Sequence, residues 1–269
     1  MLNVAPTVLR AVSLVESPSN ITVANGRYLV RFARNLEEIE AALKLRFEVF
    51  NLELNEGLES SFHTQRDRDE FDATCHHLIA IDRTDGNVIG TYRLRTFEMA
   101  GTADGFYSAS EFDLSTLPNE VLNQSVELGR ACIDQKHRNR QVLFQMWKAL
   151  ARYMTQEQKR YLFGCCSLTS QDPREGNQLF RQLVSAGNMH STFRVCTRTG
   201  YECSVGGAYE RPGSTVKIPR LFATYLGVGA KVCSMPALDR RFKTIDFLVL
   251  FDVQEMNSAT RKLFFGFLN

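Results

Sequence analysis

The sequence predicts an α/β fold with a mixed central sheet, and three observations predict it. Two strand-like runs around Asp85-Gly86-Asn87 signal an antiparallel hairpin in the first half of the chain. A long amphipathic stretch beginning at His137 lies between two apolar runs, the pattern of a strand–helix–strand unit. A last run, Ile245 to Phe251, is apolar but for Asp246 and reads as a buried late strand. Flanking helices complete the layers. The boundaries drawn from the sequence are an N-terminal arm over 1–26, one domain over 27–252 and a C-terminal tail over 253–269.

The bulk numbers agree with one large domain plus appendages. The chain has 269 residues and is 44% hydrophobic, enough for a proper core. Lys plus Arg is 32 and Asp plus Glu is 30, a net charge of +2 that argues against nucleic acid as a partner. Seven cysteines, an odd number without a C-x-x-C pair, fit a reducing cytoplasm and no zinc site. No apolar run approaches the ~18 residues of a spanning helix, so any membrane contact is expected to be peripheral.

The elements follow in order. The arm is expected to end at Asn25-Gly26. Tyr28 to Phe32 alternates and reads as a strand. Asn35 caps a helix, with Glu38 as its capping-box partner, and Ile39, Leu43, Phe47 and Phe50 follow at helical spacing. Residues 51–70 are polar and read as a loop. His77 to Ile81 and Val88 to Arg95 are the hairpin strands, residues 98–120 an irregular excursion, and Val126 to Ile133 the next strand. The strong helix, His137 to Tyr153, has Val142, Leu143, Met146, Trp147, Leu150 and Met154 on its apolar face. Gln141, Gln145, Lys148 and Arg152 form its polar face. Tyr161 to Ser167 is a strand. Asp172-Pro173-Arg174-Glu175 starts a further helix, with Asp as cap and Pro in the first turn. Residues 186–215 have no assigned element.

Charged residues recur inside or beside the strand-like runs, where a bare charge is costly unless it is paired or used. Glu127 and Arg130 flank Gly129; a bulge at Gly129 would bring both side chains to one site. They suit a base and a carboxylate anchor, or a structural ion pair. Asp69 and Asp72 suit an ammonium group, or a solvated loop. Arg93 suits a carboxylate, an internal partner such as Asp72, or water at a sheet edge. Lys136, His137, Arg138 and Arg140 sit where the strong helix begins, a place for phosphate or simply a solvated basic turn. His77 reads as a strand-edge histidine, and Cys165-Cys166 as core packing. No G-x-S-x-G elbow supports a hydrolase triad.

Taken together, Arg46-x-x-Val49-Phe50, Asp69-x-x-Asp72, Arg93 and Glu127-x-x-Arg130 resemble the series found in acyl-homoserine lactone synthases, a carrier-protein-dependent branch of the GNAT acyltransferase superfamily. The closer likeness is to the ornithine-lipid N-acyltransferases and their hemolysin-like relatives. Phe106 to Asp113, Glu127-Leu128-Gly129-Arg130-Ala131-Cys132, and Ala237-Leu238-Asp239 to Asp246-Phe247 carry it. The resemblance runs over residues 28–252. One departure is informative: the loop before the strong helix, Arg138 to Leu143, lacks the glycines typical of acetyl-CoA-dependent members.

The resemblance implies a GNAT-like fold, with its mixed central sheet, flanking helices and C-terminal extension. The implied reaction moves a long-chain, 3-hydroxylated acyl group from acyl carrier protein to the α-amine of L-ornithine, giving a lyso-ornithine lipid. In that reading Glu127 is the base and Arg130 its catalytic neighbour. Arg46, Asp69, Asp72 and Arg93 serve the acceptor, and Lys136, Arg138, Arg140, Lys148 and Arg152 receive the acidic carrier protein. No metal or redox cofactor is expected, since the phosphopantetheine arm arrives with the donor. Glycine, another amino acid or an autoinducer precursor are the rival acceptors. The R-x-x-V-F segment lacks the tryptophan near it that autoinducer synthases carry. A non-catalytic carrier-protein or membrane-surface module is the rival from another class. For the apolar tail Leu263 to Leu268, two readings stand: packing on the domain, or an interfacial anchor behind Arg261 and Lys262.

Overall fold

The computed structural model describes residues 18–204 and 215–266. Among them nine strands form one sheet: β1 Thr22–Asn25, β2 Tyr28–Phe32, β3 His76–Asp82, β4 Val88–Thr96, β5 Ser125–Ile133, β6 Tyr161–Leu168, β7 Lys231–Val232, β8 Ala237–Asp239 and β9 Thr244–Asp252. The order across the sheet is β1-β2-β3-β4-β5-β6-β9-β7, with β8 also on β9. All pairings are antiparallel except β5–β6. The longer helices are α1 Leu36–Phe47, α2 Arg140–Gln156, α3 Pro173–Ser185, α4 Arg220–Gly227 and α5 Ser258–Phe265.

Most predicted elements are present. The Asn35 side chain accepts from the Glu38 N–H at the start of α1, and Asp172 caps α3 in the same manner. Past Phe47 the α1 helix does not stop but widens into a π-type turn, Glu48–Glu53. Residues 97–116 wind through single turns, as an irregular excursion should.

Several boundaries move for identifiable reasons. The arm contributes a strand: Asn25-Gly26 is the turn of a β1–β2 hairpin rather than its end, and Gly26 takes φ +59 there. The strong helix begins at Arg140, because Asn139 takes the cap and accepts from the Val142 N–H. The residues before it form a separate turn, Gln135–His137. Gln145 is buried rather than on the polar face, since its amide points back towards the Asn25 carbonyl of β1, 3.4 Å away.

Residues 186–204 run beside β7 and β8, joined by isolated bridges such as Met189 to Val232 and Val195 to Ser234. Helix α4 and strands β7 and β8 gave no periodic signal because they are short.

The core packs on both sides of the sheet. On one, α2 lays Val142, Met146, Leu150 and Met154 over Tyr92, Leu94 and Val126. In the tail, α5 buries Phe264 against Phe144 and Trp147, each 5.3 Å between ring centres. Burying that ring contributes roughly 1.5–3 kcal/mol. Leu263 on the same helix stays about half exposed, at 51%. Phe267 and Leu268 lie outside the described residues. No described helix is long and apolar enough to cross a membrane.

Candidate active site

The charged motifs of the first half converge from helix α1, the segment before β3, and strands β4 and β5. Arg46, on the last turn of α1, is wholly enclosed; its Nε donates to Asp67 at 2.7 Å and its Nη1 to Asp72 at 2.7 Å. Arg93 on β4 reaches Asp69 at 2.5 Å and Asp72 at 3.0 Å. Arg130 on β5 closes the set, 3.0 Å from Asp67 and 2.9 Å from Asp69. Three arginines and three aspartates thus neutralise one another out of water, the condition under which buried charge is tolerated.

Arginine charges outweigh the effect of burial on two of these acids. Burial alone would raise the Asp67 carboxyl, but Arg46 and Arg130 hold it below the usual carboxylate range; Arg46 and Arg93 do the same for Asp72. Arg93 therefore lies inside the network and not at a sheet edge, and Asp69 and Asp72 are not solvated. Asp67 belongs as fully as the others and was missed, because the stretch Arg66-Asp67-Arg68 reads as surface charge.

His77 sits within an inner strand and donates its Nε2–H to the Asp72 carbonyl at 2.8 Å; burial lowers its pKa, so it stays neutral. That carbonyl can only accept, which fixes the tautomer.

The bulge in β5 is real but sits one residue later than expected. Thr91 pairs with Cys132 and Arg93 with Gly129, so Arg130 and Ala131 stand against the single Tyr92. Arg130 itself takes the left-handed backbone, φ +50, while Gly129 does not. Such a conformation costs on the order of 1–3 kcal/mol for a side-chain-bearing residue. The ion pairs of its guanidinium hold it there. The ring of Phe242 lies 4.5 Å from the same guanidinium and that of Tyr107 4.7 Å.

Glu127 does not pair with Arg130. Its carboxylate accepts from the Tyr107 N–H at 2.9 Å, the Ser108 N–H at 2.7 Å and the Ser108 hydroxyl at 2.5 Å. It thereby ties the excursion 97–116 to the central strand.

Beside it the sheet parts. β5 and β6 pair in parallel only from Ser125–Tyr161 to Glu127–Phe163. A cavity of about 340 Å³ opens at this point, with Glu127, Arg130, Ala131, Cys165 and Asp246 among its lining residues. Trp147, Leu150, Met154, Phe222, Tyr225 and Phe264 give it mostly apolar walls. The Tyr92 hydroxyl is bonded to Tyr225 at 2.7 Å and receives the Trp147 N–H at 3.3 Å, so the polar tips of these rings are satisfied.

A second cavity, of about 400 Å³, is polar, with Asp69, Glu70, Arg198, Asp239 and Arg241 among its lining residues. Arg130 and Tyr107 line both.

Two more acids stand at the site. Glu111 and Asp246 are enclosed next to Cys165, with one ligand atom of each residue within 4.8 Å of the others. Burial pushes the Glu111 carboxyl well above its usual value, and burial pushes Asp246 up to about 6. Both residues lie in segments quoted for the resemblance, yet one acid in a polar loop and one in an apolar strand carry no periodic signal of a site.

The basic residues form a separate surface. Lys136, Arg138 and Arg140 are exposed around the start of α2, with Arg138 paired to Glu53. Lys148 lies over the Phe144 ring at 4.7 Å, and Arg152 donates to the Thr22 carbonyl. The network and the basic surface are thus distinct, and Arg46 touches neither cavity.

Residues 45–148 match the family model described as an acetyltransferase (GNAT) domain. The chain is 30% identical over 247 residues to an L-ornithine N(alpha)-acyltransferase of Rhodobacter capsulatus, covering 88% of this chain and 94% of that one. It is 28% identical to the protein of the same name from Agrobacterium fabrum, over 86% and 83% of the two chains. Among solved structures, the AHL synthase LasI is similar with a TM-score of 0.48 and 13% identity, over 89% of this chain and 95% of that one.

Proposed function

The chain belongs to the L-ornithine N(alpha)-acyltransferase family, and from that premise we propose that it moves a 3-hydroxyacyl chain from acyl carrier protein to the α-amine of L-ornithine, releasing a lyso-ornithine lipid. One observation carries the reading: an apolar cavity and a polar cavity share Arg130 and Tyr107 as their common wall. An N-acylated amino acid needs both environments, and the new amide bond must form at their meeting point. The apolar cavity has the size usual for small-molecule sites, about 300–1,000 Å³.

The acyl chain lies among Trp147, Leu150, Met154 and Phe264, with its thioester near Glu127. The acceptor lies in the polar cavity. Arg130 and Arg93 orient its carboxylate, and Asp69 meets its ammonium group. Arg46 and Asp72 act through these neighbours, because Arg46 is wholly enclosed. Glu127 takes the proton released as the nitrogen–carbon bond forms, and backbone N–H groups where β5 and β6 part steady the oxyanion. The donor brings its own phosphopantetheine arm, and its acidic surface meets Lys136, Arg138, Arg140, Lys148 and Arg152. Leu263, exposed beside Arg261 and Lys262, supports a peripheral contact with anionic lipid, at the inner face of the cell membrane.

The test is expression in a host that makes no aminolipids, followed by lipid mass spectrometry. An acylated ornithine that disappears with Arg130→Ala is expected; an acylated amino acid other than ornithine would overturn the acceptor. With purified protein, acyl carrier protein should outperform the same acyl-CoA, and the preference should weaken with salt, because exposed charges are screened within about 8 Å at physiological ionic strength. Equal rates with both donors at every salt concentration would overturn the docking surface.

A further inference from the structure

Glu111 and Asp246 stand out because their burial lacks the compensation found elsewhere in the molecule. The aspartates of the ion network each have arginine partners. Neither oxygen of Glu111 receives a hydrogen bond from another group, although the residue is fully buried, and Oδ1 of Asp246 also receives none. Asp246 accepts at its other oxygen from the Thr244 hydroxyl, 3.2 Å away. Two carboxylates in this position would repel at close range in a low-dielectric setting, so they retain a proton between them. The pair is also not sealed from the chemistry: Asp246 lines the apolar cavity together with Glu127, Ser108 and Arg130, and the Cys165 thiol, within 4.8 Å of both acids, lies 3.6 Å from the Ser108 hydroxyl that binds Glu127.

The acceptor poses a proton problem that such a pair would solve. Near neutral pH an α-amine with a pKa of roughly 8 is mostly ammonium and cannot attack. It must lose one proton before attack and a second as the amide forms. Glu127 is met by three donors and is placed for the second. On the reading given under Proposed function, we propose that Glu111 and Asp246 share one proton in the resting enzyme and together accept the first proton from the acceptor's ammonium group.

The balance is simple. An N–H bond of the ammonium breaks and an O–H bond on Asp246 forms, leaving the dyad with two protons and the amine with its lone pair. The lone pair attacks the thioester carbonyl, the carbon–sulphur bond breaks, and the leaving thiolate takes the second proton of the nitrogen by way of Glu127. The dyad then returns its extra proton to solvent.

The surroundings agree with that role. After burial, Asp246 and Asp239 are the chief influences that keep Glu111 protonated, and Arg130 opposes them. Burial, then Asp239, keeps Asp246 near 6, while Ser167 and Thr244 bond to its ionised form. The remaining titratable groups that feel the pair are Cys165, Cys166, Cys203, Tyr107, Tyr201 and Glu56.

Two measurements test this, one of them without turnover. Infrared spectra of the whole protein at neutral pH should show a protonated-carboxyl C=O band that is lost in Glu111→Gln and kept in Glu56→Gln. If wild type and Glu111→Gln have the same band, the dyad is refuted, whatever the acyl acceptor is. In the acyl-transfer assay, Asp246→Asn should lower kcat/KM for the acceptor about 100-fold at pH 7, within the usual range for loss of an acid–base group. The loss should shrink to less than tenfold at about pH 9, where the free amine dominates. A loss that is the same at both pH values would assign Asp246 a purely structural part and overturn the proposal.

Discussion

Gly164 lies so close to Leu128 that a Cβ added to it would stand 2.2 Å from the Leu128 carbonyl oxygen. The contact falls one residue beyond the last parallel pair, where β5 and β6 begin to separate. A hydrogen atom is the only side chain that fits, and it lets the two strands stay adjacent until the cavity starts. Gly164→Ala should therefore push the strands apart. Overpacking of this kind costs about 1–3 kcal/mol, and a thermal melt should show a drop of several degrees; an unchanged Tm would contradict the contact.

Glu127→Gln separates the two roles the site gives this residue. Turnover should fall by about two to four powers of ten if the carboxylate acts as a base. The change also turns one acceptor oxygen into a donor that faces Tyr107 N–H or Ser108 N–H, at a cost of about 1–3 kcal/mol. A folded variant with near-normal turnover in a single-turnover assay would remove the base assignment.

Asp67→Asn addresses the network behind the site. It leaves Arg46 and Arg130 without a shared partner, both enclosed. Breaking a buried pair on one side costs about 3–5 kcal/mol, so denaturant titration should show a large loss of stability. Because the folded pKa of Asp67 is depressed, its contribution is present above the ordinary carboxylate pKa and is lost only as pH falls through the lower folded value. Wild type should hold its network well into acid, and the variant should lack that acid limb.

Glu56 makes the opposite pH prediction. Burial pushes its carboxyl up to about 7, even though the Thr169 hydroxyl donates to it. A raised acid favours the protonated folded state, so its contribution to stability falls as pH rises from about 4 towards 7. Glu56→Gln should flatten that part of the stability–pH curve, by on the order of 3 kcal/mol. Melting curves taken between pH 4 and 8 on both proteins decide it; parallel curves would mean that the Glu56 pKa is the same folded and unfolded.

The sequence made the strands legible wherever one face alternated or a whole run was apolar, as in β2 to β6 and β9. It made α1, α2 and α3 legible through caps and periodicity, because these signals are local. Asp69, Asp72, Arg93 and Arg130 could be picked out because charge in or beside an apolar run needs a partner, and Arg46 through the resemblance its motif carries. Of their pairings Arg93 with Asp72 was among the readings; the others were not, since partners such as Arg130 and Asp69 meet across 61 residues of chain. Asp67 was hidden among surface charges, Glu111 in a polar loop, and Asp246 near the start of an apolar strand, where a single acid carries no periodic signal. The bulge fell on Arg130 rather than on Gly129 because tertiary ion pairs overrode the local preference of the backbone. Helix α4, which walls the apolar cavity, is only eight residues long, too short for periodicity to declare it.

In the proposed reaction, the wall shared by Arg130 and Tyr107 would give the two reactants unlike solvents on either side of a single guanidinium. The product of joining them keeps a greasy end in one compartment and a charged end in the other. That is the orientation an amphiphile takes at the surface of a bilayer. The molecule would thus assemble its product already sorted by polarity, ready to pass tail-first into a membrane without turning over.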